Sequence, residues 1–144
     1  MRGCTVQIQT SRFGKIEVDE TKVIEMKGPI LGFGSLNKFA MIVHEEGSPF
    51  HWLQSLDDGT IAFIIVDPFL IKPDYEPEID DQALAMLELE HAQDVNLKAI
   101  ITIRSQPVKI TANLRAPLVI NKHKKLAGQV ILEDEQYPVQ YTIG

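Results

Sequence analysis

The sequence predicts a mainly β fold: a small antiparallel β-barrel-like single domain, residues 1–144, with about one short α-helix. Three observations carry this expectation. Apolar and polar residues alternate with period two in segment after segment, the mark of half-buried strands. Clusters of glycine, proline and aspartate separate those segments at short intervals, as turns between strands require. Only one stretch repeats its apolar residues at helical spacing. About nine or ten short strands result, and closing them on one another hides sheet edges from solvent.

Val6 and Ile8 begin the alternation, and Ile16 and Val18 continue it after Phe13-Gly14, where glycine allows the backbone angles of a tight turn. A first hairpin is expected there. Residues 28–34, with three glycines and a proline, read as a loop leading into a strand at Phe39–Val43. A strand at Phe50–Leu53 comes next. Asp57-Asp58-Gly59 then turns the chain into Ile61–Val66, an unbroken apolar run that suits a central strand buried on both faces. Ile79, Ala83, Leu84 and Leu87 fall on one helical face behind the capping acids Asp80 and Asp81, so a helix is expected near Asp80–Glu90. Further strands are expected at Ala99–Ile103, Lys109–Asn113, Pro117–Asn121, Gln129–Leu132 and Val139–Ile143.

Length and composition suit one ordered domain. The chain has 144 residues, 44% apolar and 24% charged, close to globular averages of about 45–50% and about 25%. No apolar run approaches the roughly 20 residues that span a bilayer, and the first residues lack the apolar core of a signal peptide. Cys4 is the only cysteine, which rules out an internal disulfide and a Cys-rich zinc site and fits a reducing compartment. A cytoplasmic protein without membrane association is expected.

The net charge of −6 disfavours tight binding to a nucleic-acid backbone, whose affinity comes from Lys and Arg displacing counterions. Its distribution says more. Asp74–Asp94 carries eight acids and no Lys or Arg, whereas Val95–Leu132 carries seven bases and no acid. Either these are solvated faces that happen to differ in sign, or the acidic one attracts a basic partner.

Signatures of catalysis are missing. Gly32-Phe33-Gly34 lacks the third glycine of a dinucleotide fingerprint and the strand and helix that should flank it. His44, His51, His91 and His123 show none of the short spacings that present metal ligands. Neither a nucleophile elbow nor a phosphate loop occurs. Neighbouring acids in Asp74–Asp81 could split their pKa values as an acid–base pair, but a proline-interrupted acidic loop is ordinarily just solvated. No enzyme activity, metal or cofactor is expected. Lys122-His123-Lys124-Lys125 reads as an exposed hairpin tip.

The least ordinary stretch is residues 67–77, which mixes three prolines with Phe69, Ile71 and Tyr75. Proline cannot donate to a strand ladder, so an edge or loop is expected. The aromatics either fold back onto the core or stay exposed as anchors for a partner.

Phe13-Gly14-Lys15-Ile16-Glu17-Val18, Asp67-Pro68-Phe69 with Pro73-Asp74-Tyr75, the block Thr111–Asn121 and Gly128–Leu132 together resemble, in order and spacing, the bacterial flagellar assembly factor FliW family. The Asn113-Leu114-Arg115-Ala116-Pro117 core of that block is the most specific piece. This resemblance implies a β-barrel-like fold and a non-catalytic protein that binds newly made flagellin in the cytoplasm. It also implies binding of the translational repressor CsrA, which couples flagellin synthesis to export. Asp67, Pro68, Phe69, Tyr75, Asn113, Leu114, Arg115 and Pro117 lie in the matching motifs. Glu76 and Asp80 of the acidic segment join them as candidate contacts with a partner. Two readings of other kinds stand beside this one. A direct RNA-binding module would need aromatic platforms, and Val95–Leu132 has none. A small-molecule enzyme would need titratable groups converging in a pocket.

Overall fold

In the computed structural model, described over residues 5–28, 30, 34, 36–43, 46–105, 108–134 and 136–143, the period-two segments become strands with few exceptions. β1 (Thr5–Thr10) and β2 (Gly14–Asp19) form the expected antiparallel hairpin, with Thr10 opposite Gly14. Gly14 takes φ 67°, the left-handed region open to glycine. The Thr10 hydroxyl accepts from the Phe13 amide at 2.9 Å and donates to the Gly14 carbonyl at 2.8 Å, closing the turn. This hairpin is a two-stranded sheet of its own. It seats on the Asp57–Gly59 turn, where the Ser11 amide donates to the Gly59 carbonyl at 3.0 Å. A Cβ at Gly59 would lie 1.9 Å from the Gln9 carbonyl oxygen, so only glycine permits this approach.

Nine strands form the main sheet: β3 (Ile24–Gly28), β4 (Lys38–Ile42), β5 (Phe50–Ser55), β6 (Ala62–Val66), β7 (Val95–Ser105), β8 (Val108–Ala112), β9 (Leu118–Asn121), β10 (Leu126–Gln129) and β11 (Tyr141–Thr142). Their order is β11-β8-β7-β6-β5-β4-β3-β10-β9. β7 is long enough to pair with β9 through Val95–Lys98 and with β6 through Ala99–Ile101. All pairs but one are antiparallel; β3 and β10 run parallel. α1 (Pro68–Ile71) and α2 (Asp81–Met86) occupy the connection from β6 to β7.

The expected fold class is therefore corrected. In place of a mainly β, small antiparallel β-barrel-like domain with about one short helix, the described residues form a large mixed nine-stranded sheet, a separate hairpin and two α-helices. α1 was hidden by its prolines, which read as strand breakers; Pro68 instead stands in the first turn, where no amide is needed, behind the Asp67 cap. α2 ends at Met86, short of Glu90, because Glu88 turns left-handed at φ 55°. Asn121 holds that turn, donating to the Leu87 and Glu88 carbonyls at 2.9 and 3.1 Å. β3 has no counterpart among the expected strands, although Ile24 and Met26 are buried between exposed Glu25 and Lys27. β10 lies three residues earlier than expected. Val130–Leu132 runs beside Arg115–Pro117, with Val130 and Leu132 amides donating to the Pro117 and Arg115 carbonyls at 3.0 and 2.7 Å. Most of the 28–34 loop, Cys4 and His44 lie outside the described residues.

The core divides at the sheet. Phe39, Leu53, Ile65, Leu118 and Ile120 pack on one side. Val66, Tyr75, Ala99, Ala112, Leu114 and Tyr137 pack on the other. Ile65 and Val66 thus bury opposite faces of β6, as a doubly covered strand does.

Candidate functional site

Where β6 ends, the chain turns outward and back. The Asp67 carboxylate accepts from the Phe69 amide at 2.9 Å, starting α1 and burying Pro68. Phe69 is left 42% exposed and Leu70 62%. Two residues past Pro73, Tyr75 returns to the core at 2% exposure, its hydroxyl donating to the Leu114 carbonyl at 2.5 Å. Its ring meets Tyr137 edge-on at 4.7 Å and lies 5.9 Å from Phe69. Burial, and then the nearby Tyr137, push the Tyr75 phenol well above its ordinary range, so it is a permanent donor. Tyr137 completes the link: its hydroxyl accepts from the Glu76 amide at 2.9 Å, and its carbonyl accepts from Arg115 Nε at 3.0 Å.

The two most distinctive sequence blocks are therefore joined, with Tyr75 and Tyr137 as the fastener. Leu114 and Pro117 are fully buried and Arg115 half-buried. Asn113 accepts from the Ala116 amide at 2.9 Å, and its own amide donates to Ile100 at 3.0 Å. This side chain holds the turn before β9. Asn113→Ala is expected to lower unfolding free energy by about 1 kcal/mol or more, read by urea denaturation. Full stability with loss of a binding partner would make Asn113 a contact residue instead.

Beside the fastener lies an apolar groove of about 440 Å³. Its apolar lining comes from Phe69, Tyr75, Pro77, Ile79, Leu84 and Leu89 together with Val95 and Leu97 of β7, and Glu76, Glu90 and His91 also line it. Sequence reasoning had picked Phe69, Tyr75 and Glu76 from this set. Ile79 and Leu84 read in the sequence only as a helix face, Val95 and Leu97 only as the alternation of an ordinary strand, and nothing in the sequence marks Leu89 as part of the groove. Asp80 lies outside the groove, capping α2 by accepting from the Ala83 amide at 2.8 Å.

Acids dominate the surroundings. Lys72 is paired to Asp74 at 3.1 Å and Lys124 to Glu88 at 3.0 Å, each hydrogen bond raising the lysine's pKa. His123 Nε2 sits 3.0 Å from Asp94. Among the described residues neither Glu76 nor Glu90 forms an ion pair, and no Lys or Arg lines the groove. Lys122, His123 and Lys124 lie exposed on the turn between β9 and β10, as expected.

His51, His91 and His123 are not brought together, and among the described residues no group of three His, Cys, Asp or Glu could hold a metal ion. Burial, and then Lys98, lower the pKa of His51. No helix of the described residues is long and apolar enough to cross a membrane.

Comparison with known proteins gives one answer. A family model described as "FliW protein" matches residues 7–143. The flagellar assembly factor FliW of Syntrophus aciditrophicus (strain SB) is 50% identical over 138 residues, covering 96% of this chain and 87% of that protein. The protein of the same name from Bacillus licheniformis is 40% identical, covering 95% and 96%. A solved structure described as "Crystal structure of the flagellar assembly factor FliW" superposes with a TM-score of 0.86 at 36% identity, covering 95% of this chain and 96% of that one. With its motifs fastened together in the fold and nearly its whole length matched in sequence and structure, the chain belongs to the FliW family of flagellar assembly factors.

Proposed function

We propose that this protein works in the cytoplasm by capturing flagellin and, when flagellin is exported, the translational repressor CsrA, so that flagellin synthesis follows export. The observation that carries the reading is the groove: a mostly apolar lining that includes the acids Glu76 and Glu90, with Phe69 and Glu76 accessible on a scaffold fixed by Tyr75 and Tyr137. A preformed apolar groove on rigid elements is what the capture of an amphipathic helix needs. Acidic surroundings suit a partner that itself binds RNA, because they attract its basic face and repel RNA from it. Among the candidate contacts, Phe69, Glu76 and Asp80 are the exposed ones. Pro68, Tyr75, Leu114 and Pro117 support them from the core, and Asp67, Asn113 and Arg115 hold the turns between.

A pull-down with the tagged protein from the cytoplasm of a flagellated cell tests this. Recovery of flagellin, and of CsrA when flagellin is absent, is the expected result. Recovery of RNA alone, surviving protease treatment, would favour the direct RNA-binding module.

A further inference from the structure

We infer that the groove takes an amphipathic helix whose apolar stripe is bordered by Lys or Arg, and rejects one bordered by acids. This deepens the reading just given, resting on the groove being where a partner docks. The lining is apolar over Leu84, Leu89, Val95 and Leu97, so apolar side chains are what it can desolvate. Selectivity comes from Glu76 and Glu90, which both line the groove and, among the described residues, form no ion pair.

Two lysines are paired to other acids of the 74–94 stretch. Lys72 bonds Asp74, and Lys124 bonds Glu88 while also attracting Glu90 from farther off. The 74–94 stretch itself contains no Lys or Arg. A helix seated with its apolar face down would carry its flanking positions, three and four residues apart, past Glu76 and Glu90. Basic flanks would complete ion pairs there, and acidic flanks would set like charges together in a partly desolvated groove.

Three fluorescein-labelled synthetic helices test this by anisotropy. The first two share one leucine stripe, flanked by Lys in one and Glu in the other; the third keeps the Lys content with the leucines scattered around the helix. The Lys-flanked helix should bind at least about tenfold tighter than either control. Glu76→Gln with Glu90→Gln should erase most of its advantage over the Glu-flanked helix, whereas Phe69→Ala should weaken binding of both. Equal binding of Lys- and Glu-flanked helices, or a preference unchanged in the double Gln variant, would overturn the inference. A parallel arm uses purified flagellin: if flagellin is captured but the Lys-flanked helix neither binds nor competes, the docking reading stands and this inference falls. If flagellin and CsrA are both ignored while the helix binds, the inference stands and the partner assignment falls.

Discussion

Tyr75→Ala is expected to lower the free energy of unfolding by about 3–5 kcal/mol, the range for removing a large buried aromatic. The residue is 2% exposed, packs on Tyr137 at 4.7 Å, and is bound to Leu114 through its hydroxyl. Tyr75→Phe isolates the hydrogen bond. It keeps the ring contacts but leaves the buried Leu114 carbonyl without its donor, a loss of about 1–3 kcal/mol. Urea denaturation followed by fluorescence of Trp52, the one tryptophan, measures both. A Tyr75→Phe variant as stable as the parent would show that the link between the two sequence blocks rests on packing alone.

The second large effect is on binding. Reversing Glu76 and Asp80 to Lys is expected to weaken CsrA capture by tenfold or more, about 1.4 kcal/mol, and to remove most of its salt dependence. The reason is range: steering between exposed opposite charges fades over a Debye length of about 8 Å at physiological ionic strength. Asp80 also caps α2, so the reversal costs about 1 kcal/mol of stability as well. Circular dichroism must therefore confirm the fold at the assay temperature. Flagellin capture should change less with salt than CsrA capture does, because apolar anchors carry more of it. If a folded charge-reversed protein still binds CsrA at full strength, the acidic stretch is only a solvated face.

Local pattern carried the sequence reading far. Alternation located the first hairpin, and the unbroken run at Ile61–Val66 marked a strand with Ile65 and Val66 buried on opposite faces. The capping acids and apolar spacing placed α2 correctly at its start. Its end depended on Asn121, thirty-odd residues away, reaching back to the Leu87 and Glu88 carbonyls, and no local signal announces such a bond. The sheet's architecture failed for a similar reason. Whether β3 runs parallel to β10, and whether β7 serves three neighbours, is decided by long-range pairing that period-two patterns do not encode.

The candidate site was half legible. Residues 67–77 stood out by their prolines and aromatics, and both outcomes weighed for those aromatics occur: Tyr75 folds into the core, while Phe69 stays partly exposed. Tyr137 could not be found, since nothing near it in sequence marks it as the residue that ties Glu76 to Arg115. The groove itself arises where three separate segments meet, so only its individual walls were visible beforehand.

The most direct test of the account is a calorimetric titration of purified flagellin into this protein, run beside Phe69→Ala. Phe69 is exposed at the groove, so its truncation should leave the fold intact while weakening binding by about tenfold or more. A tight complex with the parent protein that Phe69→Ala loosens by that factor is the predicted result. No complex, or one that Phe69→Ala leaves unchanged, would contradict the claim that this groove is where the protein captures its partner.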